Sequence, residues 1–173
     1  MTVLLLGCAS LSFEVDGTTA IATGNLNGRS PDTVRQLLQD HPDLEVVVLQ
    51  DMPGSVDDVA ALEAGRVLRE AQLTTRVPAD GEIASGGVDF FLAGVVREVE
   101  DGGLVGVHSW SGGGQEGHEL PRDHPEHALY LDYYAEMGIS EDFYWFTLDA
   151  AEARDIHWMT REELETYELV TPE

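Results

Sequence analysis

The stretch Glu82-Ile-Ala-Ser-Gly-Gly-Val-Asp-Phe-Phe-Leu-Ala-Gly94 sets one hydroxyl, Ser85, between an alanine and two glycines, just ahead of an apolar run. A short strand is expected at residues 73–77, and the run after Ser85 has a helical look, so Ser85 marks a strand-to-helix transition. Serine is a preferred helix cap, and that is one reading of the position. The other is chemical. Small neighbours let a substrate carbonyl approach closely, and the N–H groups of Gly86 and Gly87 at a helix start favour developing negative charge. A serine hydroxyl is a weak nucleophile unless a base stands near it.

Outward from this turn, strands and helices alternate. Residues 13–25 alternate loosely around Asp16-Gly17 and predict a hairpin. Ser30-Pro31 opens a helix to about Gln39, with Ser30 as cap. Leu44-Glu-Val-Val-Val-Leu-Gln50 is a continuous apolar run, as for a strand buried on both faces. Val59, Leu62, Val67 and Leu68 recur at helical spacing within residues 56–71. Two strand pieces flank Gly102-Gly103, and an acidic, glycine-rich loop spans residues 111–127. Helices are expected to about Glu136, over residues 140–154, and after Thr160. This order predicts one α/β domain over residues 1–173, with a mostly parallel sheet, βαβ crossovers and a helical C-terminal part. Sites in such sheets gather where strands end, here at residues 51–55, 81–87 and around His108.

Bulk properties narrow the function. Acidic residues outnumber basic ones by 33 to 9, for a net charge of −24, and the chain has no lysine. Such a field repels phosphate backbones, so nucleic acid is not an expected partner, while cationic peptides would be attracted. No apolar run approaches the ~20 residues of a membrane span. Cys8 is the one cysteine, which excludes an internal disulfide and a cysteine-based metal cluster. Leu4-Leu-Leu-Gly-Cys8 resembles a truncated lipoprotein cleavage site of an exported, lipid-anchored protein. A short first strand is the other reading, and the apolar stretch is shorter than a full signal needs.

The absence of lysine rules out a serine–lysine dyad and leaves histidine as the base. His108 ends the apolar segment Leu104-Val-Gly-Val-His108, beside the loops where a site is expected. The other five histidines sit in polar contexts.

At this point the residues resemble a family. Leu49-Gln-Asp-Met-Pro-Gly-Ser-Val56, Ile83-Ala-Ser-Gly86, Leu92-Ala-Gly94, Val105-Gly-Val-His108 and the closing Tyr167-Glu-Leu-Val170 look like the Clp-type serine protease and crotonase superfamily. The likeness is strongest to small bacterial relatives of the Clp proteolytic subunit and covers residues 44–170. It implies a Clp-protease/crotonase-like fold and a cofactor-free serine peptidase working through an acyl-enzyme. Ser85 takes the nucleophile position and His108 the base. A carboxylate that orients the histidine falls on Asp155, with Asp149 second. Gly54 and Gly86 take the oxyanion-hole positions. Pro53 departs from the usual pair of glycines there, and proline has no N–H to donate. Peptide or protein substrates and assembly into trimers or hexamers are implied, with residues 128–137 as an assembly helix or as core.

Three alternatives stand beside this reading. A protein of the same fold without turnover would serve as a binding or assembly module. The loop Gln115-Glu-Gly-His-Glu-Leu-Pro-Arg-Asp-His-Pro-Glu-His127 carries three histidines and several carboxylates, a composition that suits zinc or another divalent ion. Acyl-CoA chemistry also belongs to the superfamily, but few cations are present for a CoA phosphate.

Overall fold

The residues after Leu11 pair as a hairpin, β1 (Ser12–Asp16) and β2 (Thr19–Thr23), closed at Gly17 with a φ of 60° that suits glycine. The computed structural model describes residues 9–172, so Leu4–Cys8 lies outside the described residues. Helix α1 (Ser30–Asp40) follows, with Pro31 in its first turn. Arg29 rather than Ser30 caps it, because the Ser30 hydroxyl accepts the Asn27 N–H at 2.8 Å. Strand β3 (Val46–Met52) leads to α2 (Asp58–Glu70), whose cap Asp57 accepts the Ala60 N–H at 3.0 Å. Then come β4 (Thr74–Val77), β5 (Glu82–Ala84), α3 (Gly86–Leu92), β6 (Val96–Val99) and β7 (Leu104–Val107). Residues 108–127 form a loop with a minute hairpin, β8 (Ser111–Gly112) and β9 (Gln115–Glu116), and two single 3-10 turns. The chain closes with α4 (Ala128–Glu136), α5 (Glu141–Ala150), β10 (His157–Trp158) and α6 (Arg161–Thr166).

The eight-stranded sheet divides at β3. Val46–Val48 pair with β4, which pairs onward with β6, while Asp51 and Met52 pair with β5, which pairs onward with β7. All of these pairings are parallel, as is β2 with β3. Within this sheet, only the β1 hairpin and the closing β7–β10 pair are antiparallel among the described residues. The mostly parallel α/β sheet expected from the strand–helix alternation is therefore present. The fork sends β5 and β7 side by side, with Ala84 opposite Gly106, so both chains leave the sheet at the same end.

Three local features differ from the sequence expectations. β5 has only Glu-Ile-Ala, too short to show a period, and exists because β3 and β7 pair with it from both sides. β3 alternates buried with half-buried residues, because its second face is only partly covered. α5 stops at Ala150, and residues 157–158 turn back as a strand against β7. Among the described residues no helix is long and apolar enough to cross a membrane.

The glycines after Ser85 answer a packing demand. A Cβ at Gly87 would lie 2.3 Å from the Met52 carbonyl oxygen, and one at Gly86 would lie 2.7 Å from Ser55 Cβ. Here α3 starts flush against β3 and the loop that follows it, closer than any side chain permits. Gly87→Ala is therefore expected to destabilise the fold by about 1–3 kcal/mol through overpacking, read as a lower urea midpoint at unchanged slope.

Candidate active site

Ser85 stands between β5 and α3 with φ 53° and ψ −127°, a backbone region that costs a non-glycine residue about 1–3 kcal/mol. The strain is held by main-chain bonds: its N–H donates to the Gly106 carbonyl at 3.0 Å, and its carbonyl accepts the Val88 N–H at 2.8 Å. The hydroxyl makes no capping bond to α3. Ser85 is thus presented on a sharp strand-to-helix turn, the arrangement that lifts a nucleophile clear of its own backbone.

The β3–α2 loop lies over it. Pro53 is exposed and Gly54 buried, and a Cβ at Gly54 would stand 3.4 Å from Ser85 Cβ and 3.8 Å from its Oγ. The loop is strapped by Leu26, whose N–H donates to the Gly54 carbonyl at 3.0 Å and whose carbonyl accepts the Val56 N–H at 2.9 Å. The structure brings Gly54 and Gly86 to the Ser85 turn and leaves Pro53 at the surface.

His108 follows β7 and lines the same small cavity as Ser85, a space of about 40 Å³. The parallel register explains the meeting: Ser85 bonds Gly106, and His108 lies two residues beyond it. Imidazole Nδ1 lies 2.8 Å from the Ser109 carbonyl oxygen. That oxygen can only accept, so Nδ1 is the donor in this contact and Nε2 is left clear of it. Among the described residues no hydrogen bond joins Asp155 to His108. Asp155 is exposed in the turn before β10, where its N–H donates to the Glu152 carbonyl, and Asp149 is exposed on α5. A backbone carbonyl thus occupies the place where a carboxylate was expected.

Two carboxylates do line the cavity, Asp58 from the first turn of α2 and Asp89 from the first turn of α3. Asp58 accepts the Ser55 hydroxyl at one oxygen and the Tyr130 hydroxyl, at 2.6 Å, at the other. Asp89 accepts the Tyr134 hydroxyl at 2.8 Å through Oδ1. Burial pushes the Asp89 carboxyl up from its ordinary 3.8 to about 7; the Tyr134 bond opposes the shift and the charge of Asp58 adds to it. Burial also raises the hydroxyls of Tyr130 and Tyr134, each reinforced by its neighbouring aspartates. Both phenols therefore remain proton donors to these acids.

The rest of the cavity is aromatic. Trp110 stacks on Tyr130 at 5.9 Å, and Tyr130 on Tyr144 at 5.7 Å. Tyr144 is also the hub of a directed chain. Its oxygen accepts the indole N–H of Trp110 at 2.8 Å and donates to Nδ1 of buried His127 at 2.7 Å, while His127 Nε2 donates to the Pro121 carbonyl at 3.1 Å. The histidines of the acidic loop are thereby separated. His127 is spent in this chain, the His124 ring accepts the Glu126 N–H, and His118 pairs with Glu116. Among the described residues no group of three His, Cys, Asp or Glu is placed to hold a metal ion.

No family model matches the chain, and no curated protein matches it. Solved structures do resemble it. A mutant form of the 1510-N membrane-bound stomatin-specific protease is 14% identical, with a TM-score of 0.58, over 88% of this chain and 76% of that one. A mutant form of ClpP1 from Listeria monocytogenes is 18% identical, with a TM-score of 0.58, over 89% of each chain. An enoyl-CoA hydratase from Mycobacterium avium subsp. paratuberculosis K-10 is 15% identical, with a TM-score of 0.57, over 96% of this chain and 72% of that one. The chain has the Clp-protease/crotonase-like fold. At these identities the likeness is one of architecture, shared by structures described as proteases and as a hydratase.

Sequence reasoning pointed to Ser85, His108, Gly54 and Gly86 but passed over Asp58, Asp89, Tyr130, Tyr134 and Tyr144. One signal was present for Asp89: it is the single charge in the otherwise apolar Gly86–Leu92 helix. The tyrosines of α4 lie in a segment read as an assembly helix or core, and their rings turn inward, buried within the chain. Asp89 also gives a pH signature. Its folded carboxyl keeps the proton up to about pH 7, whereas the unfolded one releases it near 3.8. The folded state then holds more protons across that window, and stability falls as pH rises through it. The stability lost between pH 5 and pH 8 should be smaller in Asp89→Asn than in wild type by on the order of 3 kcal/mol, measured by urea unfolding at each pH.

Proposed function

We propose that the protein is a serine hydrolase acting on peptide or protein substrates, with Ser85 as nucleophile and His108 as general base. The observation that carries this reading is the strained, uncapped Ser85 hydroxyl sharing one small cavity with an imidazole whose Nδ1–H is already engaged. In this scheme Ser85 Oγ attacks the substrate carbonyl carbon and passes its proton to His108 Nε2. The carbonyl oxygen, now negative, is received by the N–H groups of Gly54 and Gly86. Collapse of the tetrahedral adduct expels the amine, which takes the proton from Nε2 and leaves an acyl-serine. Water, deprotonated by the same nitrogen, then releases the acid and restores Ser85.

Two features support the assignment of roles. The N–H that proline lacks is not required, because Gly54 rather than Pro53 lies against Ser85. With no lysine in the chain, His108 is the one basic side chain lining the cavity among the described residues. The orienting task falls to the Ser109 carbonyl, which fixes the tautomer as a carboxylate would but brings no full charge to the imidazolium.

A fluorophosphonate probe at neutral pH should label wild-type protein at Ser85 and leave Ser85→Ala unlabelled, as read by intact mass. His108→Ala should slow labelling by about 100-fold or more, the usual worth of a positioned base. Asp155→Asn should stay within about threefold of wild type, because no bond connects that carboxylate to the imidazole. Labelling that persists in Ser85→Ala would overturn the assignment.

A further inference from the structure

The cavity beneath Ser85 holds two acids and no permanent cation. Asp58 and Asp89 face it from α2 and α3, and among the described residues neither arginine nor lysine lines it. The donors that serve these acids are neutral hydroxyls, those of Ser55, Tyr130 and Tyr134. Both Asp58 oxygens are occupied. Asp89 Oδ1 has one donor, and no donor among the described residues reaches Oδ2. Asp89 is half-buried and lines the cavity. Because no buried side-chain oxygen among the described residues lacks a partner, Oδ2 is reached by solvent, and an incoming donor takes the place of that water.

The walls match the same guest. Trp110, Tyr130 and Tyr144 line the cavity as a stack, and ring surface there covers a short aliphatic stem and attracts an adjoining positive group. The volume of about 40 Å³ admits only a few water-sized groups. That suits an ammonium and its adjoining methylenes better than a broad planar guanidinium. The field of a chain with a net charge of −24 raises the local concentration of cations at its surface.

We propose that this cavity is a recognition pocket for a primary alkylammonium group, as carried at the end of a lysine side chain, with Asp89 as its anchor and Asp58 as the supporting charge. Ser85 is part of the pocket lining, so a lysine seated there sets its neighbouring acyl group near the nucleophile. This catalytic consequence rests on the hydrolase reading above, whereas the binding itself does not. The specificity is for charge and shape together: a neutral chain of equal length would strand Asp89, and an arginine would overfill the space.

The test titrates n-butylammonium and, separately, n-butanol into wild-type and Ser85→Ala protein, observed by protein NMR. Butylammonium should shift the resonances of residues 85–89 saturably and alike in both proteins, and n-butanol should bind at least tenfold more weakly. Asp89→Asn should weaken butylammonium at least tenfold. The ammonium–alcohol comparison needs no variant, so a misfolded Asp89→Asn leaves the proposal open to refutation. Equal binding of the two probes, or no saturable shift at residues 85–89, overturns it. A second arm compares cleavage of peptides that carry lysine or norleucine at one position, where kcat/KM should favour lysine at least tenfold. Butylammonium binding with no fluorophosphonate labelling would retain the pocket and remove the hydrolase reading. Labelling without butylammonium binding would do the reverse.

Discussion

The turn from β5 into α3 has no spare room, and the candidate chemistry depends on that closeness. Gly87 lies against the Met52 carbonyl, Gly86 against Ser55, and Gly54 against Ser85 itself. These contacts lock three consecutive positions to the end of β3 and its loop, while the Gly106 carbonyl holds the Ser85 N–H from the other side. A serine at φ 53° persists only where its surroundings over-determine it, and here they do. The same crowding leaves no room for a side chain at residues 86 and 87.

Electrostatics in the cavity is settled by proton donors rather than by ion pairs. The bonded arginines are employed elsewhere. Arg97, for example, is buried and donates to the carbonyls of Leu169, Glu168 and Gly94, which fastens the C-terminal segment to the sheet edge. That leaves tyrosine hydroxyls to stabilise Asp58 and Asp89, and desolvation wins over these neutral bonds at Asp89. Acidity in this chain is therefore of two kinds. Most carboxylates are exposed and sustain a long-range field, whereas Asp58 and Asp89 are half-buried and bonded to hydroxyls at the cavity.

Much of the fold was legible because local rules and the global sheet agree. Asp16-Gly17 made the hairpin turn, Pro31 opened α1, Thr160 capped α6, and Ser85 marked the start of α3. What local rules missed is tertiary in origin: β5 and β10 are too short to carry a period and form by pairing. The site divides the same way. Ser85, Gly54, Gly86 and His108 lie at strand ends, where parallel sheets expose chemistry. The hydrogen-bond partner of His108 could not be read from residue identity, because Ser109 contributes a main-chain oxygen that every residue has. Nor could the pairing of Asp58 with Tyr130 or of Asp89 with Tyr134, since α4 reaches those acids only after folding. The three histidines of the acidic loop show the opposite case, a composition that suggested a shared ligand and resolved into three separate tasks.

The directed chain through Tyr144 has a consequence for how the cavity meets a guest. That phenol receives from an indole and gives to an imidazole, so both of its usual hydrogen-bonding directions are committed away from the opening. What Tyr144 shows the interior is ring carbon, while Asp58 and Asp89 on the α2 and α3 side show oxygen. The chamber is therefore two-sided, wet along one flank and oily along the other, and an amphiphilic visitor has a single comfortable orientation inside it.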